Sequence, residues 1–273
     1  MCNTRKLENT EINLSVNDLV LTPATCALLI NEIIKYLVYQ KSQIPYPYAW
    51  LKNVVSRKRK SGENDKNSNP SVSRNYSAAS SAYDIIEEMM KNISHQFKEN
   101  GDNVKEVMVL FGATPHSPKE MIRFLIPKLE DKHIDVNHVI SNEKNKNKVL
   151  RSLFLSEEWT NGMELSYPCT NMYLLINKTI ANPTDDTAFF LPIRNYEHNE
   201  KVPHRTIRFL YNFYVGLCCH DLQIYNNSLN KVDDVKVEEN ANDGISNYWY
   251  QGKLILKGFK DCFINKQSAS DLF

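Results

Sequence analysis

Between Thr22 and Gln40, apolar residues occupy almost every face of a 3.6-residue period: Cys26, Leu28, Leu29, Ile30, Ile33, Ile34, Leu37 and Val38. A helix with so little polar surface belongs in an interior. Thr22 supplies a capping hydroxyl and Pro23 a favoured first-turn residue. Pro45 and Pro47 break the chain, and a short helix from Ala49 to Val55 is expected after them. From Ser80 to Lys98, Ile86, Met89, Met90, Ile93 and Phe97 form one stripe, which predicts a second long helix. A third is expected from Ser141 to Leu155. Its first half, Asn142 to Lys148, is polar, so burial falls to Val149, Leu150, Leu153 and Phe154.

Strand patterns dominate the remainder. Val104 to Phe111 is an apolar run ending at Gly112. After it, Ser117-Pro118-Lys119-Glu120 has the look of a helix start, yet Met121, Ile122, Phe124, Leu125 and Ile126 fit helix and strand equally. Met172 to Ile176 and Ala188 to Leu191 are further apolar runs, the second stopped by Pro192. Thr206 to Phe213 alternates, with Ile207, Phe209, Tyr211 and Phe213 on one face, which predicts a half-buried antiparallel strand. Leu222 to Tyr225 is a short candidate, and Asn247 to Phe259 the last strand region. Ser56 to Ala79 and residues 226–246 are polar and read as mobile loops, with flexible ends over 1–16 and 264–273 around a single domain at 17–263. Helices first and strands last point to an α+β fold with helices on one face of a sheet.

Composition narrows the function. Only eight of 273 residues are glycine, and no two lie closer than six positions. Phosphate-cradling loops need closely spaced glycines, so a P-loop is absent and a dinucleotide-binding fold is disfavoured. A net charge of +1 gives no overall footprint for nucleic acid. No apolar run approaches the ~20 residues that span a membrane, and Met1 to Val16 does not read as a signal peptide. The basic run Arg57-Lys58-Arg59-Lys60 reads equally as a nuclear localisation signal or a solvated charge run.

Catalytic chemistry finds little support. There is no CxxC pair, no HExxH and no GxSxG. Asp185-Asp186 reads as a turn after Pro183 rather than a cation site. Cys218-Cys219-His220 brings thiol and imidazole together in sequence, but a catalytic pair needs an orienting third group. A thiol hydrolase using Cys218 or Cys219 stands as the least favoured reading. The aromatics Tyr46, Tyr48, Trp50, Trp249 and Tyr250 suit core or protein interface better than base stacking, because no basic patch surrounds them.

Three segments taken together carry a resemblance. They are Leu37-Val-Tyr-Gln-Lys-Ser-Gln-Ile-Pro-Tyr-Pro-Tyr48, Val109-Leu-Phe-Gly-Ala-Thr-Pro-His-Ser-Pro-Lys-Glu120 and Tyr250-Gln-Gly-Lys-Leu-Ile-Leu-Lys-Gly-Phe-Lys260. In order and spacing the chain resembles the comet family, whose members bind the spindle-checkpoint protein MAD-two. The resemblance implies a HORMA-like α+β fold: three helices on one face of a mainly antiparallel sheet, with a C-terminal belt segment. It also implies that the segment after Ser117 is the second strand of a hairpin.

The function implied is a non-enzymatic adaptor without cofactors. It would bind the closed conformer of MAD-two and present it to an AAA+ ATPase of the Pch-two type, silencing the mitotic checkpoint. Nucleus and cytoplasm, with kinetochore or spindle in mitosis, are the implied locations. By family match, Gln40 and Phe154 would form the MAD-two face, with Leu150 and Arg151 beside them. Pro192, Phe190 and Ile193 would meet the ATPase. The alternative is a HORMA-like adaptor capturing a different partner peptide.

Overall fold

A computed structural model describes residues 9–61, 70–129, 135–163, 169–179, 189–194, 196–211, 248–264 and 267–268. Among these, α1 (Pro23–Gln40) begins where the sequence places it. Thr22 caps it, its Oγ1 accepting the Thr25 amide at 3.2 Å, and Pro23 opens the first turn. The helix is buried on nearly all sides, and even Asn31 is interior, its Nδ2 donating to the Met90 carbonyl and the Ser94 hydroxyl. α2 (Tyr48–Ser61), α3 (Pro70–Asn100), α4 (Asp135–Phe154) and α5 (Glu157–Met163) complete the helices. Among the described residues, five α-helices therefore stand where three long ones and a short piece were expected.

The loop expected over 56–79 is a correction. α2 continues to Ser61 and α3 starts at Pro70, so most of that polar stretch is helical. The stripe of α3 extends backward through small and polar residues, with Ala82, Ala79 and Asn75 buried where a hydropathy pattern shows nothing. Arg59 Nη2 reaches the Asp84 carboxylate at 2.7 Å and Ser80 Oγ at 2.7 Å, clamping the two helices.

The strands are β1 (Thr10–Ser15), β2 (Val104–Thr114), β3 (Ser117–Leu125), β4 (Asn171–Lys178), β5 (Phe190–Ile193), β6 (His204–Leu210), β7 (Tyr248–Gly252) and β8 (Leu256–Lys257). They form one sheet in the order β1-β6-β3-β2-β4-β7-β5, with β8 paired to β4. β2 and β3 make an antiparallel hairpin, so the Ser117-Pro118 cap reading was a false positive. Gly112 is needed at its bulge: a Cβ there would lie 2.7 Å from Pro118 Cα. β2–β4, β4–β7 and β5–β7 are also antiparallel.

β6 is a second correction. Its alternation is real, with Ile207 and Phe209 buried, but it pairs parallel on both sides, with β1 and with β3. Alternation reports one buried face and is silent about the direction of neighbouring strands. The N-terminus is a third correction: within the expected flexible segment 1–16, residues 10–15 form β1, with Ile12 and Leu14 in the core. In the expected tail 264–273, Ile264 and Gln267–Ser268 take part in a two-stranded pair, β9 (Phe263–Ile264) with β10 (Gln267–Ser268). The candidate strand Leu222 to Tyr225 and the loop 226–246 lie outside the described residues.

All five helices feed one apolar cluster, which also holds Val107, Val109, Phe111, Leu174 and Ile176 from one face of the sheet. The alternate residues Met108, Leu110, Tyr173 and Leu175 pack with Tyr196 and Trp249 on the opposite face. This mixed sheet with helices on one side is compatible with the HORMA-like expectation.

Candidate functional site

The site is built at the C-terminal ends of α1 and α4. α1 stops at Gln40 because the chain turns left-handed at Ser42, with φ 54°. The Lys41 amide closes the turn onto the Leu37 carbonyl at 2.8 Å, and the Gln43 amide donates to Val38 at 2.8 Å. α4 lies against α1: Asn142 Nδ2 donates to Thr25 Oγ1 at 2.8 Å. The last turn of α4 then brings Phe154 over Tyr36 of α1, rings nearly parallel at 19° and 4.0 Å between centroids. Trp159 of α5, buried, packs beneath at 5.2 Å from Phe154.

Gln40 enters the same patch through Tyr36, its Nε2 donating to the Tyr36 hydroxyl at 2.8 Å. Gln40 and Phe154, 114 positions apart in sequence, thus sit on one surface with Tyr36 as the bridge. Both are half-buried. Arg151 is exposed beside them. Leu150 is buried in the core, so its predicted surface role is corrected: it fills the side of α4 facing inward.

Tyr36 was not singled out from the sequence. Its signal was the i, i+4 spacing to Gln40, which on a helix places two side chains together. Leu155, 70% exposed, carries no such signal in the sequence, because it lies off the apolar stripe of α4.

The residues just beyond Gln40 have a structural task. Lys41 Nζ pairs with Glu120 Oε1 at 2.8 Å, and Arg205 Nη1 donates to the same oxygen; all three side chains are almost fully buried. Burial lowers the Lys41 pKa from its ordinary value, and nearby Arg205 adds to this against the attraction of Glu120. The triad ties α1 to β3 and β6. Gln43 ties it to the start of β4 and to the C-terminal segment: its Oε1 accepts the Thr170 amide at 2.9 Å and its carbonyl the Phe259 amide at 3.0 Å. Gly258 lies so close that a Cβ would sit 2.6 Å from Gln43 Oε1. Three motifs distant in sequence therefore converge on one junction.

The second predicted face falls on β5, which ends the sheet among the described residues. Pro192 is exposed there, where a missing N–H is tolerated. Ile193 is half-buried against the Met108–Tyr196 cluster. Phe190 is buried in the core, which corrects its assignment as a surface contact. Leu191, exposed between Phe190 and Pro192, is the apolar residue β5 presents outward.

Arg57–Lys60 lies in the last turns of α2, with Arg59 held by Asp84. Among the described residues, no group of three or more His, Cys, Asp or Glu suits a metal ion, and no helix is long and apolar enough to cross a membrane. Cys218, Cys219 and His220 lie outside the described residues, as does Asp185-Asp186.

A family model described as "p31comet: Mad1 and Cdc20-bound-Mad2 binding" matches residues 16–261. No curated protein matches the chain. The matched span takes in α1 to α5 and the junction of Lys41, Glu120, Arg205 and Gln43.

Proposed function

Because the chain belongs to the p31comet family, which binds Mad2 bound to Mad1 or Cdc20, we propose that it is an adaptor for the closed conformer of Mad2. The Gln40–Tyr36–Phe154 patch is the contact face. It then presents that conformer to an AAA+ ATPase of the Pch-two type, which opens it and so silences the spindle checkpoint. Exposed Leu191 and Pro192, with half-buried Ile193, form the ATPase face on β5. The protein works in nucleus and cytoplasm, and at kinetochore or spindle in mitosis.

The observation that carries this reading is the bridging of Gln40 and Phe154 by Tyr36 within a family-matched span. The half-buried aromatic offers an anchor, and the Gln40 amide keeps its carbonyl oxygen for a partner donor.

The test is calorimetric titration with purified Mad2 carrying a Cdc20-derived peptide. Wild type binds, and the double variant Gln40→Ala/Phe154→Ala weakens binding about thirtyfold or more, as loss of hot-spot contacts does. Undiminished binding by the double variant removes the site assignment. Adding the ATPase tests the second step: conversion of closed to open Mad2 depends on this chain and falls with Pro192→Ala/Leu191→Ser.

A further inference from the structure

Six large apolar side chains are exposed among the described residues: Tyr39, Leu155, Leu191, Leu210, Tyr248 and Phe263. Two of them flank the Tyr36–Phe154 stack. Tyr39 lies one turn beyond Tyr36 and immediately before Gln40. Leu155 follows Phe154 directly, in the turn joining α4 to α5.

That turn is fixed from both sides. The Leu155 amide donates to the Arg151 carbonyl at 3.1 Å, ending α4, and the Ser156 amide to Leu153 at 3.1 Å. Ser156 Oγ then accepts the Trp159 amide at 3.2 Å, capping α5, whose Trp159 is buried. Leu155 is thus an apolar side chain held out in water on a pinned backbone. Little ordering cost remains for a partner that covers it. Around it stand Arg151, Glu157 and Glu158, all exposed. An apolar centre with a charged rim of mixed sign is the anatomy of a protein interface.

We propose that Leu155 is a further apolar anchor for Mad2 on this face, beside Phe154, and Tyr39 an additional contact. The occupant is Mad2 in its Mad1- or Cdc20-bound form, because Leu155 and Tyr39 are continuous with the Gln40–Phe154 patch. The inference rests on the function proposed above.

The experiment titrates the full chain against Mad2 loaded with a Cdc20-derived peptide, with a thermal melt of each variant. Leu155→Ser weakens binding about tenfold or more and Tyr39→Ala severalfold, both with unchanged melting temperature, because neither side chain is part of the core. Leu155→Met, which keeps the apolar contact, stays within about twofold of wild type. If Leu155→Ser binds like wild type while Gln40→Ala/Phe154→Ala does not, Mad2 leaves Leu155 uncovered: this inference falls and the contact face stands. If wild type itself fails to bind, both fall.

Discussion

Lys178, at the end of β4, is 2% exposed, and its ammonium lies 4.8 Å from the centre of the Tyr250 ring. No carboxylate of the described residues pairs with it. Burial lowers its pKa from 10.5. The folded state therefore releases this proton at lower pH than the unfolded chain does. Between the depressed pKa and 10.5 the unfolded state binds more protons, so unfolding free energy rises with pH across that window. Each unit of depression costs the folded state about 1.4 kcal/mol at neutral pH. Lys178→Met keeps the bulk and removes the charge. It raises stability at pH 7 and flattens the alkaline rise, as urea titrations between pH 7 and pH 10 will read; a variant with the wild-type slope would assign that slope to another group. Individual residues of this kind are poorly legible in sequence. Lys178 looks like a strand-end solvated cation, and only the sheet reveals its burial. Gln40 and Phe154 were found through motif match, since nothing in hydropathy says that positions 40 and 154 share a surface. Tyr36, which joins them, needed the packing of α4 on α1.

At the level of elements, the strongest periodic signals came through. The limits of α1, the stripe of α3 and the apolar run of β2 stand where pattern placed them, because each buries its own continuous set of side chains. The early turns of α3 did not, because Asn75, Ala79 and Ala82 face the interior without hydropathic contrast. β1 was missed for a different reason. Its alternation, Ile12 and Leu14 between polar residues, is only two apolar positions long, and its partner β6 is nearly 200 residues away. Yet both side chains are buried, and β1 covers the outer edge of β6 along six residue pairs. Ile12→Ala or Leu14→Ala should each cost about 2–5 kcal/mol, the range for a truncated core aliphatic. Urea unfolding measures this directly. A cost under about 0.5 kcal/mol would mean that β1 is not part of the cooperative unit. Removing residues 1–16 altogether should also promote self-association, since it bares an edge strand.

Across the whole molecule, the turn after α1 joins the proposed partner face to the C-terminal end of the chain. Gln40 looks outward, Lys41 inward to Glu120 and Arg205, and Gln43 sideways to Thr170 and Phe259. A little further on, Tyr46 repeats the theme. Its hydroxyl donates to Asp261 Oδ1 at 2.6 Å, Asn75 Nδ2 donates to the same oxygen at 2.8 Å, and the Ser268 hydroxyl donates to Oδ2. Asp261 is thus a clasp holding the segment after β8 against the α1–α2 turn and α3. A carboxylate with three donors is fixed more firmly than one with a single partner, because charge-assisted bonds are the stronger kind. Asp261→Ala removes all three charge-assisted bonds at once, which should cost about 2–3 kcal/mol. The loss should be local before it is global, because β9 and β10 are only two residues each. Hydrogen exchange is the measurement: the Phe259 amide, bonded to Gln43, should exchange at least tenfold faster in the variant, while the central amides of α1 keep their protection. Equal acceleration in α1 would show that the clasp is continuous with the core, and no acceleration at Phe259 would show that the Gln43 and Thr170 bonds hold the end of the chain unaided.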